Sequence, residues 1–344
     1  MSANSTKGIY PAPLLNTPRS WQNDKGTLNL SSAQNKYAIE RCGVNLALIT
    51  AVISGVSIFL NKYAVEAVKP ALFFTTMKNI GVGFLLLGIL LLTKKWKLLK
   101  DLKQREVIYL IFIGIVGGSL PFYLYFTGVT LIPAINAAII HKTLVLWVAL
   151  LAIPLLKEKL TKTQVVAVIF LFAGNFVIGG FKGFQFSMGE LLVLLATMLW
   201  AIENVLAKKI LPKVDPDIVV AARMIIGAVI LLTATTLTVP HTVSKVLHFN
   251  GAQWWWMLMT VILLLGYVMS WYRALKFAPA ITVTAVLVSS TLVTNILSAI
   301  FVTHAWTINM GIQAVLILLG LALFWISARE DNINIVEAST ISSS

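Results

Sequence analysis

The chain has 344 residues, of which 58% are hydrophobic and 12% charged, and its mean hydropathy is +0.87. Soluble domains are about 45 to 50% apolar and about 25% charged, so this composition excludes an ordinary soluble domain and indicates an integral membrane protein. The formal charge of +14 does not indicate a nucleic-acid-binding protein, because Lys and Arg lie in short clusters between apolar segments. Cys42 is the single cysteine, so no internal disulfide can form.

Polar stretches lie at both ends of the chain, and apolar segments fill the space between them. Residues 1–42 contain no apolar core of the kind that a secretory signal needs, so we expect a disordered cytoplasmic tail there and a short one at 329–344. Ten segments are long enough to cross a bilayer as helices, which takes roughly 20 residues each. They lie at about 44–68, 71–92, 106–128, 131–156, 163–180, 189–210, 217–238, 253–277, 279–303 and 307–327. The sequence therefore predicts an all-α integral membrane protein with ten transmembrane helices.

The positive charges fall mainly on alternate sides of these segments. Sixteen Lys and Arg residues lie in or beside the loops 93–105, 157–162 and 208–216 or flank segments on the same side. The other loops hold only Lys69, Lys182 and Lys245. Because Lys and Arg accumulate in cytoplasmic loops, we expect both termini of this multi-pass protein to face the cytoplasm.

The two halves of the chain repeat each other without gaps. A shift of 146 residues superposes Lys62 on Lys208, Gly81 on Gly227, Pro133-Ala134 on Pro279-Ala280, Thr161 on Thr307 and Gly174 on Gly320. We therefore predict one five-helix repeat at 43–180 and a second at 188–328. Because five is an odd number, the second repeat is inverted relative to the first, which places a substrate site near the midplane and allows alternating access. A duplicated scaffold without transport is the alternative.

The fourth segment carries two polar side chains near its middle, His141 and Lys142. A lysine at the bilayer centre costs about 2.5 to 3.5 kcal/mol on insertion scales, so it faces a partner, a cavity or a ligand. We expect Lys142 to bind substrate as the counter-charge for a carboxylate or phosphate, with a salt bridge to Glu203 as the alternative. His141 joins it as a substrate-binding candidate, although adjacent helical residues point about 100° apart and a packing role is the alternative.

Glu203 in the sixth segment and Arg223 in the seventh lie at similar depth, about six or seven residues from the same membrane face. We expect them to form an ion pair. A desolvated carboxylate can gain and lose a proton during a transport cycle, so Glu203 is also the candidate coupling residue. A structural bridge, or an arginine that extends to the surface, is the alternative. We expect Arg273 in the eighth segment to extend to the surface.

Further candidates come from aromatic and basic residues within the segments. Lys78 could supply a second cation, and the substrate path could be lined by the aromatic residues Tyr123, Tyr125, Trp147, Trp200, Trp271 and Tyr272. In the third segment, Gly117-Gly118-Ser119-Leu120-Pro121 is expected to break the helix, and such breaks often line cavities.

The sequence does not indicate an enzyme. It has no glycine-rich phosphate loop ending in Gly-Lys-Ser/Thr and no paired His or Cys at metal spacing within the segments. We therefore expect no catalytic residues, no cofactor and no metal.

The fourth segment leads directly into Glu158-Lys159-Leu160-Thr161, followed by Gln164 and Gly174. This pattern resembles the Gly-Glu-Arg/Lys-Leu-Thr step of the ten-helix, EamA-type branch of the drug/metabolite transporter superfamily, and the resemblance covers about 44–327. It implies a secondary transporter of the inner or plasma membrane that exports amino acids or other small metabolites. It also implies a central cavity lined by the third, fourth, eighth and ninth helices, among others.

The chain departs from that pattern at Lys157, where glycine is usual, and at His141-Lys142, where small or apolar residues are usual. A cation there favours an anionic or zwitterionic substrate. We therefore expect an exporter of an amino acid or related carboxylate that works in the bilayer as a monomer or homodimer. Protons are a possible coupling ion, and no nucleic acid is bound. The alternatives are an antiporter of phosphorylated metabolites and a non-transporting membrane assembly component.

Overall fold

The computed structural model describes residues 30–177 and 183–341, and the secondary structure of these residues is entirely helical. The helices are α1 (Leu30–Ala67), α2 (Ala71–Leu92), α3 (Gln104–Gly118), α4 (Leu120–Val129), α5 (Ala134–Lys142), α6 (Leu144–Leu156), α7 (Lys162–Val177), α8 (Met188–Ile210), α9 (Pro216–Thr238), α10 (Pro240–Val243), α11 (Gly251–Phe277), α12 (Ala280–Leu287), α13 (Ser290–Ser298) and α14 (Ile308–Ile341). Residues 1–29 of the predicted N-terminal tail lie outside the described part, and α1 begins before the predicted first segment.

The described helices account for all ten predicted segments. Within residues 30–177 and 183–341, nine spans are long and apolar enough to cross a membrane, with α3 and α4, α5 and α6, and α12 and α13 each together making one span. The fifth segment, α7, is a shorter apolar helix of 16 residues, and the predicted end of this segment at 180 lies outside the described residues. The prediction of an all-α, ten-segment membrane protein is confirmed.

Equivalent helices of the two repeats pack against each other, as expected around a pseudo-two-fold axis. The second segment, α2, packs on its counterpart α9, and the fifth, α7, packs on α14. Gly174 of α7 lies against Ile317, and Gly320 of α14 lies against Leu171, which are the same two positions exchanged. A Cβ atom on either glycine would approach the partner helix to about 3.0 Å or less, so the close contact depends on both.

Three segments are interrupted within the membrane. The predicted break in the third segment is confirmed, because α3 ends at Gly118 and α4 begins at Leu120. The prediction of a single helix over 131–156 was wrong, because a turn at Thr143 separates α5 from α6. The ninth segment is interrupted in the same way at the equivalent residue, Ser289.

The interruptions of the fourth and ninth segments share one hydrogen-bond pattern. The Thr143 hydroxyl donates to the Ile140 carbonyl at 2.6 Å, and the Ser289 hydroxyl donates to the Val286 carbonyl at 2.7 Å. Thr143 and Ser289 are 146 positions apart, and so are Ile140 and Val286. Tightened turns of this kind within a helix often mark functional hinges.

Two membrane faces are distinguished by charge. We call the face that carries the loops 93–105, 157–162 and 208–216 the Lys-rich face, and the opposite one the Lys-poor face. The structure brings the first and third of these loops together, because Lys95 of the first contacts Asp215 of the third.

Candidate functional site

The two matching interruptions meet at Lys142. This residue ends α5, where the carbonyl end of the helix favours a positive charge, and its Nζ donates to Ser290 Oγ at the start of α13, 3.2 Å away. Val288 occupies the equivalent position in the second repeat, so only one repeat supplies a cation. Lys142 is half-buried, whereas Ser290 is fully buried. The site therefore places an amino group between the two repeats.

His141 lies in a cluster of aromatic rings beside Lys142. Its ring centroid is 5.0 Å from that of Trp200 and 5.6 Å from that of Tyr125. Trp200 is fixed in turn by a 3.2 Å hydrogen bond from Nε1 to the Gly117 carbonyl. Within the described residues, the buried His141 Nδ1 has no hydrogen-bond partner. The cluster forms a wall next to the amino group, and Trp200 and Tyr125 belong to the aromatic residues that the sequence offered as a lining.

Glu203 and Arg223 lie together, although the contact is loose. Arg223 Nε is 3.9 Å from Glu203 Oε1, which is beyond hydrogen-bond distance, and the Tyr272 hydroxyl donates to the same oxygen. Glu203 is 2% exposed and Arg223 7% exposed. Arg223 also lies over the Phe122 ring, with Cζ 5.9 Å from the centroid. Lys142 therefore does not replace Arg223 as the ion-pair partner of Glu203.

Glycines at the break in the third segment allow this approach. A Cβ atom on Gly117 would overlap the Glu203 side chain and crowd Arg223, and one on Gly118 would overlap the α9 backbone at Arg223. The Gly118 carbonyl accepts a 3.4 Å hydrogen bond from Asn79 Nδ2. Side-chain amides and the indole of Trp200 thus satisfy carbonyl groups that the broken helix leaves free.

The remaining candidates lie around this centre. Trp271 is buried, stacks on Tyr267 at 6.0 Å and donates from Nε1 to Asn204 Oδ1 at 3.0 Å. Lys78 is 8% exposed, and its Nζ lies 3.5 Å from Asn61 Oδ1. Tyr123 is half-buried on α4.

Trp147 differs from these residues, because it lines a cavity of about 580 Å³ on another side of α6. Its Nε1 donates to Thr143 Oγ1 at 3.1 Å. The cavity wall is largely apolar and includes the exposed side chains Leu150 and Leu191, so it opens toward the surrounding bilayer. Among the predicted site residues, Trp147 alone lines it, and the polar centre lies elsewhere.

An ion-pair network that the sequence did not predict lies at the Lys-rich face. The Asp217 carboxylate, 3% exposed, accepts from Lys95 Nζ at 2.6 Å and from Arg273 Nη2 at 2.6 Å. Asp215, which caps α9, also accepts from Lys95. Arg273, which was expected to extend to the surface, reaches the Lys-rich face with its side chain 30% exposed and pairs there with a carboxylate that the sequence did not predict.

The pKa of Lys95 responds to this network. Partial burial alone lowers the pKa of the amino group, but hydrogen bonds and negative charge from Asp217 and Asp215 outweigh burial and raise it. Lys95 therefore stays charged and binds both carboxylates.

Two more sets of hydrogen bonds link helices at the same face. Glu158, from the motif after the fourth segment, accepts hydrogen bonds from the backbone amides of Ala280 and Ile281 at 2.7 and 3.1 Å, so it caps α12. Lys208 Nζ donates to the carbonyls of Leu275 and Ala278 at 2.7 and 2.6 Å and caps the end of α11.

Comparison with known proteins identifies the family. The model of the EamA-like transporter family matches residues 41–180 and again 187–326. The chain belongs to the EamA-like transporter family. The expected relation to the drug/metabolite transporter superfamily is therefore confirmed, and the spans of the described residues make this EamA-like protein a multi-pass membrane protein.

A named bacterial relative agrees with that assignment. The chain is 27% identical over 193 residues to an uncharacterized transporter, YyaM, of Bacillus subtilis strain 168; the match covers 54% of this chain and 62% of YyaM. The fold is also similar to that of a solved crystal structure, with a TM-score of 0.67 at 20% identity, over 83% of this chain and 98% of the other.

Proposed function

We propose that this EamA-like transporter is a secondary active transporter of a small organic carboxylate, with amino acids and related acids as the substrate class. The observation that carries the proposal is the position of Lys142 between the two matching interruptions. Within the described part of the chain, its Nζ has a hydroxyl as its hydrogen-bond partner, and no carboxylate forms a salt bridge with it. A substrate carboxylate supplies the missing negative charge.

Glu203 is the proposed coupling residue. It is buried, and its Oε1 accepts a hydrogen bond from the Tyr272 hydroxyl. Arg223 lies near enough to stabilise the charged form of Glu203 without a direct hydrogen bond. A buried carboxylate whose arginine partner makes no direct hydrogen bond to it can exchange a proton when the surrounding helices move. Proton-driven transport follows from such an exchange.

Alternating access is supported by the difference between the two faces. Asp217, Glu158 and Lys208 fasten helices to one another at the Lys-rich face. We propose that this face is closed in the described state, that it faces the cytoplasm with both termini, and that the protein lies in the cell membrane. Export then requires these contacts to open toward the cytoplasm and close again with substrate bound.

Transport by purified protein in liposomes tests the proposal. Counterflow of labelled amino acids and organic acids is measured for the wild type and for Lys142→Met, with and without a pH gradient. We expect at least about a tenfold loss of carboxylate transport in Lys142→Met, because a charge-assisted hydrogen bond contributes about 1.5 to 3 kcal/mol. Lys159→Met, in an exposed loop position, is the control for removal of a lysine.

The coupling residue is tested in the same vesicles. Glu203→Gln should abolish stimulation by a pH gradient while exchange without a gradient continues. Full gradient-driven transport by Glu203→Gln would exclude Glu203 as the coupling residue, and wild-type rates for Lys142→Met would exclude the substrate site.

A further inference from the structure

Charged side chains deep within the membrane segments do not balance. Lys78, Lys142, Glu203 and Arg223 each lie at least seven residues from the ends of their segments. Three of these four described residues are basic and one is acidic. Glu203 lies beside Arg223, so it compensates at most that one cation. Two positive charges are left inside the described bundle.

Each remaining cation has one neutral hydrogen-bond acceptor, and Lys78 Nζ also lies over the Phe74 ring, 5.0 Å from its centroid. Lys78 Nζ is 3.5 Å from the Asn61 amide oxygen, and Lys142 Nζ is 3.2 Å from the Ser290 hydroxyl. An ammonium group carries three donors, so both lysines keep donors for another molecule. Charged residues at this depth are costly, and those that persist commonly mark a substrate path.

The Cα atoms of both lysines lie at a similar depth in the membrane, although the partners of their Nζ atoms lie at different levels along α1. Lys78 is seven residues from the start of α2 and Lys142 eight residues from the start of α5, and both helices start at the Lys-poor face. At 1.5 Å per residue, the two positions are each about 10 to 12 Å below that face. One molecule that enters from the Lys-poor face can therefore meet both.

The partners of the lysines also limit the spacing between them. Ser290 lies against Gly55 of α1, since a Cβ atom on Gly55 would overlap the Ser290 carbonyl. Asn61, the partner of Lys78, follows six residues later on α1, which corresponds to about 9 Å along the helix axis. This spacing favours two separate acidic groups over a single compact anion.

We infer that the substrate is an elongated dianion with two separated acidic groups, one bound by Lys142 and the other by Lys78. A dicarboxylate of four to six carbons has this chemistry. The inference rests on the proposed function and specifies its substrate class.

Counterflow in liposomes with matched compounds tests it. Succinate is compared with succinamate and glutarate with glutaramate, because each monoamide removes one charge at nearly constant size. Glycerol 3-phosphate presents two charges on a single group. We expect the wild type to transport the dicarboxylates at least about tenfold faster than the monoamides or the phosphate ester, since one lost charge-assisted contact is a factor of ten or more.

Lys78→Met should reduce dicarboxylate transport about tenfold or more and monoamide transport less than about twofold. Lys62→Met is the matched control, because Lys62 is exposed on α1 beside Asn61 and should keep wild-type rates. The comparison of compounds on the wild type needs no variant, so the inference stays testable if Lys78→Met does not fold.

Three outcomes would overturn the inference. Equal wild-type rates for dicarboxylates and monoamides would exclude a second anionic contact while leaving the proposed carboxylate transporter intact. A preference for glycerol 3-phosphate that needs both lysines would replace two separated groups with one. Transport of neutral or cationic compounds alone, unchanged in Lys142→Met, would overturn the proposed function as well.

Discussion

At the scale of single residues, Gly117 determines how closely α3 approaches the buried carboxylate. A methyl group at this position would overlap the Glu203 side chain and crowd Arg223 Nε. Neither neighbour can move easily, because Tyr272 holds the carboxylate and the Phe122 ring lies next to the guanidinium. The cost of a larger residue here should therefore fall on the packing of the site itself.

We expect Gly117→Ala to destabilise the protein by about 1 to 3 kcal/mol, as is typical of overpacking in a dense interior. Thermal unfolding in detergent measures the change. Gly88→Ala in α2 is the control, because a Cβ atom there meets nothing within 4 Å and alanine favours the helix. If both variants unfold at the same temperature, the tight contact at Gly117 is not limiting.

Single residues also show where the sequence was informative. The depth of Glu203 and Arg223 could be counted from the ends of their segments, and the structure places the two side chains 3.9 Å apart. The contact between Lys142 and Ser290 could not be counted in this way, since it depends on how two helices rotate about their axes. Tyr272 was seen as one aromatic among many, and only the packing shows that it binds Glu203.

At the scale of elements, the sequence predicted the break in the third segment but not the interruptions of the fourth and ninth segments. Glycines and a proline mark the end of α3, and both residue types disrupt helices for known reasons. Thr143 and Ser289 carry no such signal, because a hydroxyl that bonds a carbonyl three residues back is compatible with either a continuous or a tightened helix. The equivalence of the two residues under the 146-residue shift is the one feature that could have indicated them.

The Lys-rich face depends on a short helical turn as well as on the long helices. Lys95 begins the 3₁₀ helix Lys95–Asp101 and binds carboxylates at the start of α9. The depth of Arg273 in its own segment does not reveal this network, because its partner Asp217 lies in the first turn of a neighbouring helix. Charge at a helix start is visible in the sequence, but its partner across the bundle is not.

The raised pKa of Lys95 predicts how stability depends on pH. A group whose pKa is raised by folding contributes its full stabilisation below the pKa of the unfolded state and loses it as the pH rises through the pKa of the folded state. We expect Lys95→Gln to lower the unfolding temperature at about pH 8, and the difference from the wild type to shrink at about pH 11. The mutant Lys97→Gln, nearby and exposed, serves as control. A pH-independent difference would show that Lys95 stabilises by packing instead.

At the scale of the whole molecule, the two repeats share a fold but not the charges at their ends. The residues equivalent to Asp217 and Arg273 in the first repeat are Ala71 and Thr127, neither of which can form an ion pair. The Lys-rich face therefore has an ion pair that the Lys-poor face lacks at the equivalent positions. If both ends were identical, the two states that the pseudo-two-fold axis exchanges would be populated equally, so this difference favours the state closed at the Lys-rich face.

Loss of one carboxylate should shift that balance. Asp217→Asn leaves Lys95 and Arg273 without their shared negative charge, so we expect the Lys-rich face to open more often.

Thr282, 5% exposed on α12 just inside this face, reports the opening once it is replaced by cysteine in a Cys42→Ser background. A membrane-impermeant thiol reagent applied to the Lys-rich face should label Thr282→Cys at least about fivefold faster with Asp217→Asn, since a change of about 1 kcal/mol in the balance suffices. Asp101→Asn, which removes an exposed acid from the same face, should leave the rate unchanged. Equal labelling in all three backgrounds would mean that Asp217 stabilises the fold without controlling access, and the asymmetry between the repeats would then need another cause.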